Sequence, residues 1–145
     1  MSGERAAVIL LQDDHLALLE RHRDGRHYYV FPGGHIEPGE TAAQAAVREA
    51  EEELGVQVAI RRLVAEDEVN GRRHYYFLAD LAGGTFGTGT GEEWNSPPAD
   101  KGTYAAVWLP VRDLLTFPVK PFSMAEHVVR YHRAGWPEAL LSVPG

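Results

Sequence analysis

The stretch from Gly34 to Val56 constrains this chain more than any other. Within it, Glu49, Glu52 and Glu53 stand at i, i+3 and i+4, so on an α-helix, at about 100° per residue, they project from one wedge roughly 100° wide. Carboxylates that close repel one another, which raises their pKa values and weakens the helix unless positive charge lies among them. A hard divalent cation meets that need. Mg²⁺ prefers oxygen ligands and takes a few carboxylates together with substrate phosphates, keeping several waters. The helix is signalled at both ends. Thr41 and Gln44 form a capping box behind the turn residues Pro38-Gly39, so the helix is expected to start at Thr41. Gly55, just past Leu54, is placed to end it as a left-handed C-cap before a strand from Val56. Ala43, Val47, Ala50 and Leu54 recur at helical spacing and mark an apolar face angled away from the wedge. Ala45, one turn before Glu49, is expected to leave room above the carboxylates.

Gly34, five residues, Glu40, seven residues, Arg48-Glu49, two residues, Glu52-Glu53, one residue, Gly55 and apolar Val56 match every fixed position of the Nudix box. The segment therefore resembles that motif over its 23 residues, and the preceding Phe31-Pro32-Gly33-Gly34 also looks like the family. The one departure is Ala50, smaller than the usual aliphatic residue, a change expected to loosen packing beneath the helix while removing no chemical group. The resemblance implies an α/β fold, an α/β/α sandwich around a mixed sheet. It implies Mg²⁺-dependent hydrolysis of a phosphoanhydride in a nucleoside diphosphate linked to another moiety, with Mn²⁺ as a substitute metal. Glu49, Glu52 and Glu53 match the family's metal-binding carboxylates, joined by a backbone carbonyl at Gly33 or Gly34. Glu40 and Arg48 match positions that brace the loop and orient the carboxylates through ion pairing, whereas Glu51 falls at a free position and is read as a solvated charge. The proton of the attacking water goes to Glu49, Glu52 or Glu53, or to Glu93 on a distal loop, since family members differ in where the base sits.

Composition agrees with a compact soluble enzyme, and leaves a small anionic ligand open through a bound metal. A chain of 145 residues is expected to form one domain, residues 1–145, burying roughly two thirds of its unfolded surface. The apolar share of 44% and charged share of 24% are ordinary globular values. A net charge of −7 argues against a nucleic-acid polymer as partner, because such binding draws on phosphate neutralisation by Lys and Arg. The absence of cysteine excludes disulfide and thiolate chemistry. Ala6 to Leu11, the longest early apolar run, is too short for a leader or a membrane span, and the chain is read as cytoplasmic and as a monomer or homodimer.

Mixed α and β structure is expected along the chain. Ala6 to Leu11 and Leu16 to Arg21 flank Gln12-Asp13-Asp14-His15 as a hairpin, and Tyr28 to Phe31 reads as a strand feeding the glycine pair. Val56 to Val64 and Arg73 to Leu81 form a second hairpin, turned at Asn70-Gly71. On that strand Tyr75 and Phe77 share one face and His74 and Tyr76 the other, with one face in the core. Tyr104 to Leu109 is another strand, Pro110 opens a short helix through Leu115, and Ser123 caps a longer one to about His132.

Ala82 to Gly102 carries six glycines, Pro97-Pro98 and little apolar content, the makings of a long loop or a frayed strand pair. Its functional reading is a lid over the nucleotide, with Trp94 placed to stack on a base and Glu92 or, preferably, Glu93 as an extra metal ligand or base. Arg21, Arg23, Arg26 and His27 precede Tyr28-Tyr29, and one or two of them, Arg21 and Arg23 foremost, are candidates to reach a substrate phosphate. Trp108 and Trp136 are read as packing residues. Nucleoside triphosphates, oxidised ones included, lead as substrates. ADP-ribose, nucleotide sugars and dinucleoside polyphosphates are the alternatives within the class, and a non-catalytic nucleotide sensor is the alternative outside it.

Overall fold

Three tight turns set the strands in register. The computed structural model describes residues 3–88 and 103–143. Strand β1 (Arg5–Gln12) returns as β2 (His15–Arg23) through Asp13-Asp14, and β2 returns as β3 (Arg26–Val30) through Asp24-Gly25. After β4 (Gly33–His35) and helix α1 (Ala42–Leu54), β5 (Val56–Val69) returns as β6 (Arg72–Gly84) through Asn70-Gly71. Both central residues of each turn have positive φ, between 50° and 76°. Such turns match the twist of the strands they join, and Asp, Asn and Gly are the residues that tolerate them. Strand β7 (Thr103–Pro110), a 3₁₀ turn (Val111–Thr116), β8 (Val119–Lys120), α2 (Phe122–Tyr131) and β9 (Leu141–Ser142) complete the described elements.

The strands run in the order β8-β3-β2-β1-β6-β5-β9, with β4 added to β1 and β7 to β2. β1 lies parallel to β6 and antiparallel to β2 and β4, so the sheet is mixed. Pairing between β1 and β2 is confined to their turn, Leu11 with Leu16 and Gln12 with His15. Beyond it β1 takes β4 and β6 as neighbours while β2 takes β3 and β7, which splays the sheet.

Alternate β1 residues face opposite layers. Val8 and Leu10 pack with Ala46, Ala50, Leu54 and Phe77 on the α1 side, whereas Ile9 packs with Leu114, Met124, Ala125 and Val128 on the α2 side. This is the α/β/α layering expected. It also means that both faces of β6 are core: Tyr75 and Phe77 join the α1 layer and Tyr76 the α2 layer, because helices cover both sides of this central strand. Among the described residues no helix is long and apolar enough to cross a membrane.

Helix α1 starts and stops where its caps dictate. The Gln44 N–H donates to Thr41 Oγ1 at 3.1 Å, and the Thr41 N–H donates to Gln44 Oε1 at 2.9 Å. Gly55 ends the helix at φ 81°, its N–H donating to Glu51 O. The Thr85 N–H and Gly87 N–H then bind Gly55 O and Leu54 O, so the chain leaving β6 folds onto the helix end. The buried stripe differs from the expected one. Ala45, Ala46, Ala50 and Leu54 are fully buried while Ala43 and Val47 are only partly so, and Ala45 fills core space instead of opening room by the carboxylates. Alanine side chains leave a shallow helix surface that docks closely on the sheet, and Leu54 adds about 2 kcal/mol by its burial.

Several boundaries depart from expectation: β3 spans Arg26–Val30 instead of Tyr28 to Phe31, and β5 continues past Val64 to Val69. Pro121, not Ser123, is the N-cap of α2, its carbonyl accepting from Met124 N–H at 3.1 Å, with no side-chain cap bond. A proline before the first turn leaves no backbone donor of its own to satisfy. Pro110 flanks the 3₁₀ turn instead of starting it. Ala82 to Gly84, the start of the glycine-rich segment, extend β6 as a strand pair with β5 as far as Val56, one of the two readings of that segment.

Candidate active site

The site is built where α1 meets the edge strand β4. Gly33 and Gly34 pair with Ala7 and Ala6 of β1. A Cβ on Gly33 would lie 2.4 Å from Ala6 O and 2.7 Å from Ala7 Cα, and one on Gly34 would lie 2.5 Å from Glu49 Cδ and 2.6 Å from both its carboxylate oxygens. Both positions are glycine because of close approach: β1 crowds the first, and the Glu49 carboxylate rests on the second.

Two other helix residues tie the wedge down. The Gly33 N–H donates to Glu53 Oε1 at 2.8 Å. Arg48 forks onto Glu40, Nε to Oε2 at 2.7 Å and an Nη2 hydrogen to Oε1 at 3.0 Å, and also donates to the His35 carbonyl at 3.0 Å. Its other terminal nitrogen donates to Glu49 Oε1 at 2.8 Å and Glu52 Oε1 at 3.2 Å. Glu40 accepts in turn from Glu37 N–H at 3.0 Å. A bidentate guanidinium fork fixes direction as well as distance, so the loop before the helix and the carboxylates on it share one rigid joint. The brace expected of Glu40 and Arg48 is thus present, and Arg48 additionally stands between Glu49 and Glu52.

The charges follow from this packing. Arg48 and the Glu37 N–H hold the Glu40 carboxyl below the usual range, and Arg48 is itself raised, first by Glu40. Glu49 moves the other way. Burial pushes it up, the Glu52 charge adds to that, and the Arg48 contact offsets only part of it. A half-buried carboxylate left under-compensated beside an arginine has unmet demand for positive charge. Among the described residues, the groups beside it that can ligate a metal are the Glu52 and Glu53 carboxylates and backbone carbonyls, an oxygen set that suits a hard cation such as Mg²⁺ and not a thiophilic one.

The remaining candidates lie elsewhere. Glu51 is exposed, as read. The Arg21 guanidinium lies 5.1 Å over the Tyr104 ring, and Arg23 sits 3.7 Å from Asp24 at the tip of the β2–β3 hairpin. Glu92, Glu93 and Trp94 lie outside the described residues. Trp108 stacks on Phe86 at 4.5 Å and Trp136 packs near Tyr131 at 5.7 Å, consistent with packing roles. Sequence reasoning missed the pocket beside the glycine pair. It is a cavity of about 140 Å³ bounded by Arg5, Phe31, Gly33, Gly34, Tyr76 and Lys120. Through His74, Tyr76, Lys120 and Pro121 it shares its wall with a larger, mostly apolar one of about 610 Å³ that reaches Val69, Pro118 and Phe122. Burial and then the Arg5 charge lower the His74 pKa, and burial pushes the Tyr76 hydroxyl up to about 12. Only strand register brings these residues together, and register is not written in local sequence.

The NUDIX domain family model matches residues 1–130. The chain belongs to the Nudix hydrolase family. This Nudix chain is 36% identical over 87 residues to the CTP pyrophosphohydrolase of Escherichia coli (strain K12), covering 55% of the chain and 64% of the relative. It is 33% identical over 112 residues to the human 8-oxo-dGDP phosphatase NUDT18, covering 77% of the chain and 32% of the relative. The chain therefore spans under two thirds of the first of these relatives and about a third of the second. Its fold is similar to a crystal structure of a Nudix hydrolase from Nitrosomonas europaea, at TM-score 0.69 and 20% identity, covering 95% of this chain and 75% of that one. Nudix enzymes are generally dependent on a divalent metal, which agrees with the oxygen-only donor set at α1.

Proposed function

We propose that this Nudix enzyme hydrolyses a phosphoanhydride bond of a nucleoside triphosphate, oxidised purine triphosphates included, with Mg²⁺ held by Glu49, Glu52, Glu53 and the Gly34 carbonyl. The observation that carries this reading is the clasp of α1 on the glycine pair, Glu53 bonded to Gly33 N–H and Glu49 seated on the bare Cα of Gly34. The clasp sets two of the three carboxylates, Glu49 and Glu53, against the β4 backbone, which supports reading them as ligands beside the Gly34 carbonyl. When bound, Mg²⁺ neutralises phosphate charge and lowers the pKa of water, and Mn²⁺ substitutes for it. The chain supplies the rest. Arg48 orients Glu49 and Glu52, and a carboxylate among Glu49, Glu52, Glu53 and Glu93 takes the proton of the attacking water. Arg5 and Lys120 offer positive charge to phosphate oxygens beside Gly33 and Gly34. Tyr76, edge to face with Phe31 at 5.9 Å, and Phe122 give the adjoining pocket aromatic walls suited to a base.

The pair of cavities supports a triphosphate, with its charged end at the glycines and its base in the apolar space. The names of the two relatives, for CTP and for an oxidised guanine nucleotide, support the same class. The test is Mg²⁺-dependent release of phosphate or pyrophosphate from nucleoside triphosphates, 8-oxo-dGTP, ADP-ribose, nucleotide sugars, dinucleoside polyphosphates and 5′-triphosphate RNA, with Glu52→Gln as control. Turnover of a free triphosphate that vanishes in the variant is expected. Nucleotide binding without turnover of any substrate would replace this reading with a sensor, and turnover of ADP-ribose alone would replace the substrate class.

A further inference from the structure

Strand register assembles a second cluster of metal-ligating side chains, away from α1. His22 of β2 and His27 of β3 are direct cross-strand partners, and Glu20 lies two residues before His22 opposite Tyr29. Alternation puts Glu20, His22 and their cross-strand partners on one face of the hairpin. The donor atoms of Glu20, His22 and His27 all lie within 4.8 Å of one another. The His27 Nε2 is 2.6 Å and the His22 Nε2 3.9 Å from Glu20 Oε2. The imidazoles lie stacked, 4.4 Å between centroids and 5° between planes, and both are accessible at 59% and 46% side-chain exposure.

We propose that this face of the hairpin is a binding site for a first-row transition ion, Zn²⁺ foremost, with Glu20, His22 and His27 as ligands and water in the fourth position. A tetrahedral ion with bonds of about 2.0–2.1 Å spaces its ligand atoms roughly 3.4 Å apart. The Glu20 distances bracket that value, so small χ rotations of exposed side chains reach it, and the ion takes the place of the hydrogen shared between His27 and Glu20. The surroundings favour the site in two further ways. The Tyr29 hydroxyl donates to Glu20 Oε2 at 3.3 Å, the outer support that ligating carboxylates use. Arg21, Arg23 and Arg26 fall on the alternate positions and so on the opposite face, with Arg21 over Tyr104 there. Imidazole nitrogen separates this site chemically from the carboxylate site at α1: Mg²⁺ selects oxygen, whereas two histidines select Zn²⁺ and its neighbours in the series.

The full chain, held in excess Mg²⁺ to occupy the α1 carboxylates, is titrated with ZnCl₂ by calorimetry as wild type, His22→Gln, His27→Gln and Glu52→Gln. The expected result is one Zn²⁺ per chain, weakened about tenfold or more in either histidine variant and unchanged in Glu52→Gln. No Zn²⁺ uptake by the wild type, equal uptake by the histidine variants, or loss confined to Glu52→Gln would each overturn the proposal. Circular dichroism melts check that the variants fold. The wild type alone gives a second readout: Co²⁺ should develop the visible absorption of a tetrahedral nitrogen-ligated ion, and an octahedral spectrum would overturn the assigned geometry.

Discussion

Replacing Gly34 with alanine should disable the carboxylate site while sparing the fold. The added Cβ would meet Glu49 Cδ at 2.5 Å where ordinary contact begins at 3.4 Å, so the carboxylate must retreat by about 0.9 Å. It is the far end of a flexible side chain and Gly34 needs no positive φ, so the stability cost should stay below about 1 kcal/mol. The catalytic cost is larger, because a displacement near 1 Å in a positioned group costs on the order of 100-fold in rate. Gly33→Ala provides the contrast. Its Cβ would strike Ala6 O and Ala7 Cα, backbone atoms of a central strand that cannot step aside, and overpacking of that kind costs about 1–3 kcal/mol. Urea melts and Mg²⁺-dependent turnover of the best triphosphate, measured side by side, separate the two. Wild-type turnover with unchanged Mg²⁺ dependence in Gly34→Ala would refute the idea that the seat of Glu49 on this glycine matters.

Other parts of the molecule give equally concrete expectations. Thr41→Ala removes the hydroxyl that accepts from the Gln44 N–H, leaving the backbone half of the capping box, and should destabilise the protein by about 1 kcal/mol in urea melts, with Thr41→Ser recovering most of it. Folded Tyr76 keeps its proton up to about pH 12, whereas an unfolded tyrosine keeps it to about 10. Its stabilisation is therefore whole below pH 10 and is lost as pH rises from 10 to 12, on the order of 3 kcal/mol in all, and Tyr76→Phe should flatten this part of the stability profile. Arg62 donates to the Trp136 and Pro137 carbonyls at 2.9 and 2.8 Å; Arg62→Ala should release the segment leading to β9 and speed its cleavage in limited proteolysis, with little change elsewhere.

The parts of this fold that were legible in sequence are those decided by neighbours in the chain. Asn70-Gly71, Thr41 with Gln44, and Gly55 each act through bonds to residues a few positions away, and each turn or cap is found where it was read. The spacing of Glu49, Glu52 and Glu53 was legible for the same reason, whereas the Glu40–Arg48 pair was implied by the resemblance to the Nudix box. What eluded the sequence depends on three-dimensional register. The buried stripe of α1 falls on Ala45 and Ala46 because alanine carries too little hydrophobic signal to mark one side of a helix. The bulges of β5 near Val58, Arg62 and Ala65 shift its pairing with β6 without any local sequence mark. The meeting of His22 with His27, and of Phe31 with Tyr76, follows from which strands become neighbours.

Arg48 also sets a threshold. Its guanidinium supplies the counter-charge that lets an acidic helix fold before any ion arrives. On the proposed reading, an incoming dication competes with it for Glu49 and Glu52. Each 1.4 kcal/mol of arginine contact given up on loading weakens apparent metal affinity about tenfold. On that reading Arg48, which braces the carboxylates, also rivals the Mg²⁺ they would bind and tunes the free Mg²⁺ concentration at which hydrolysis begins.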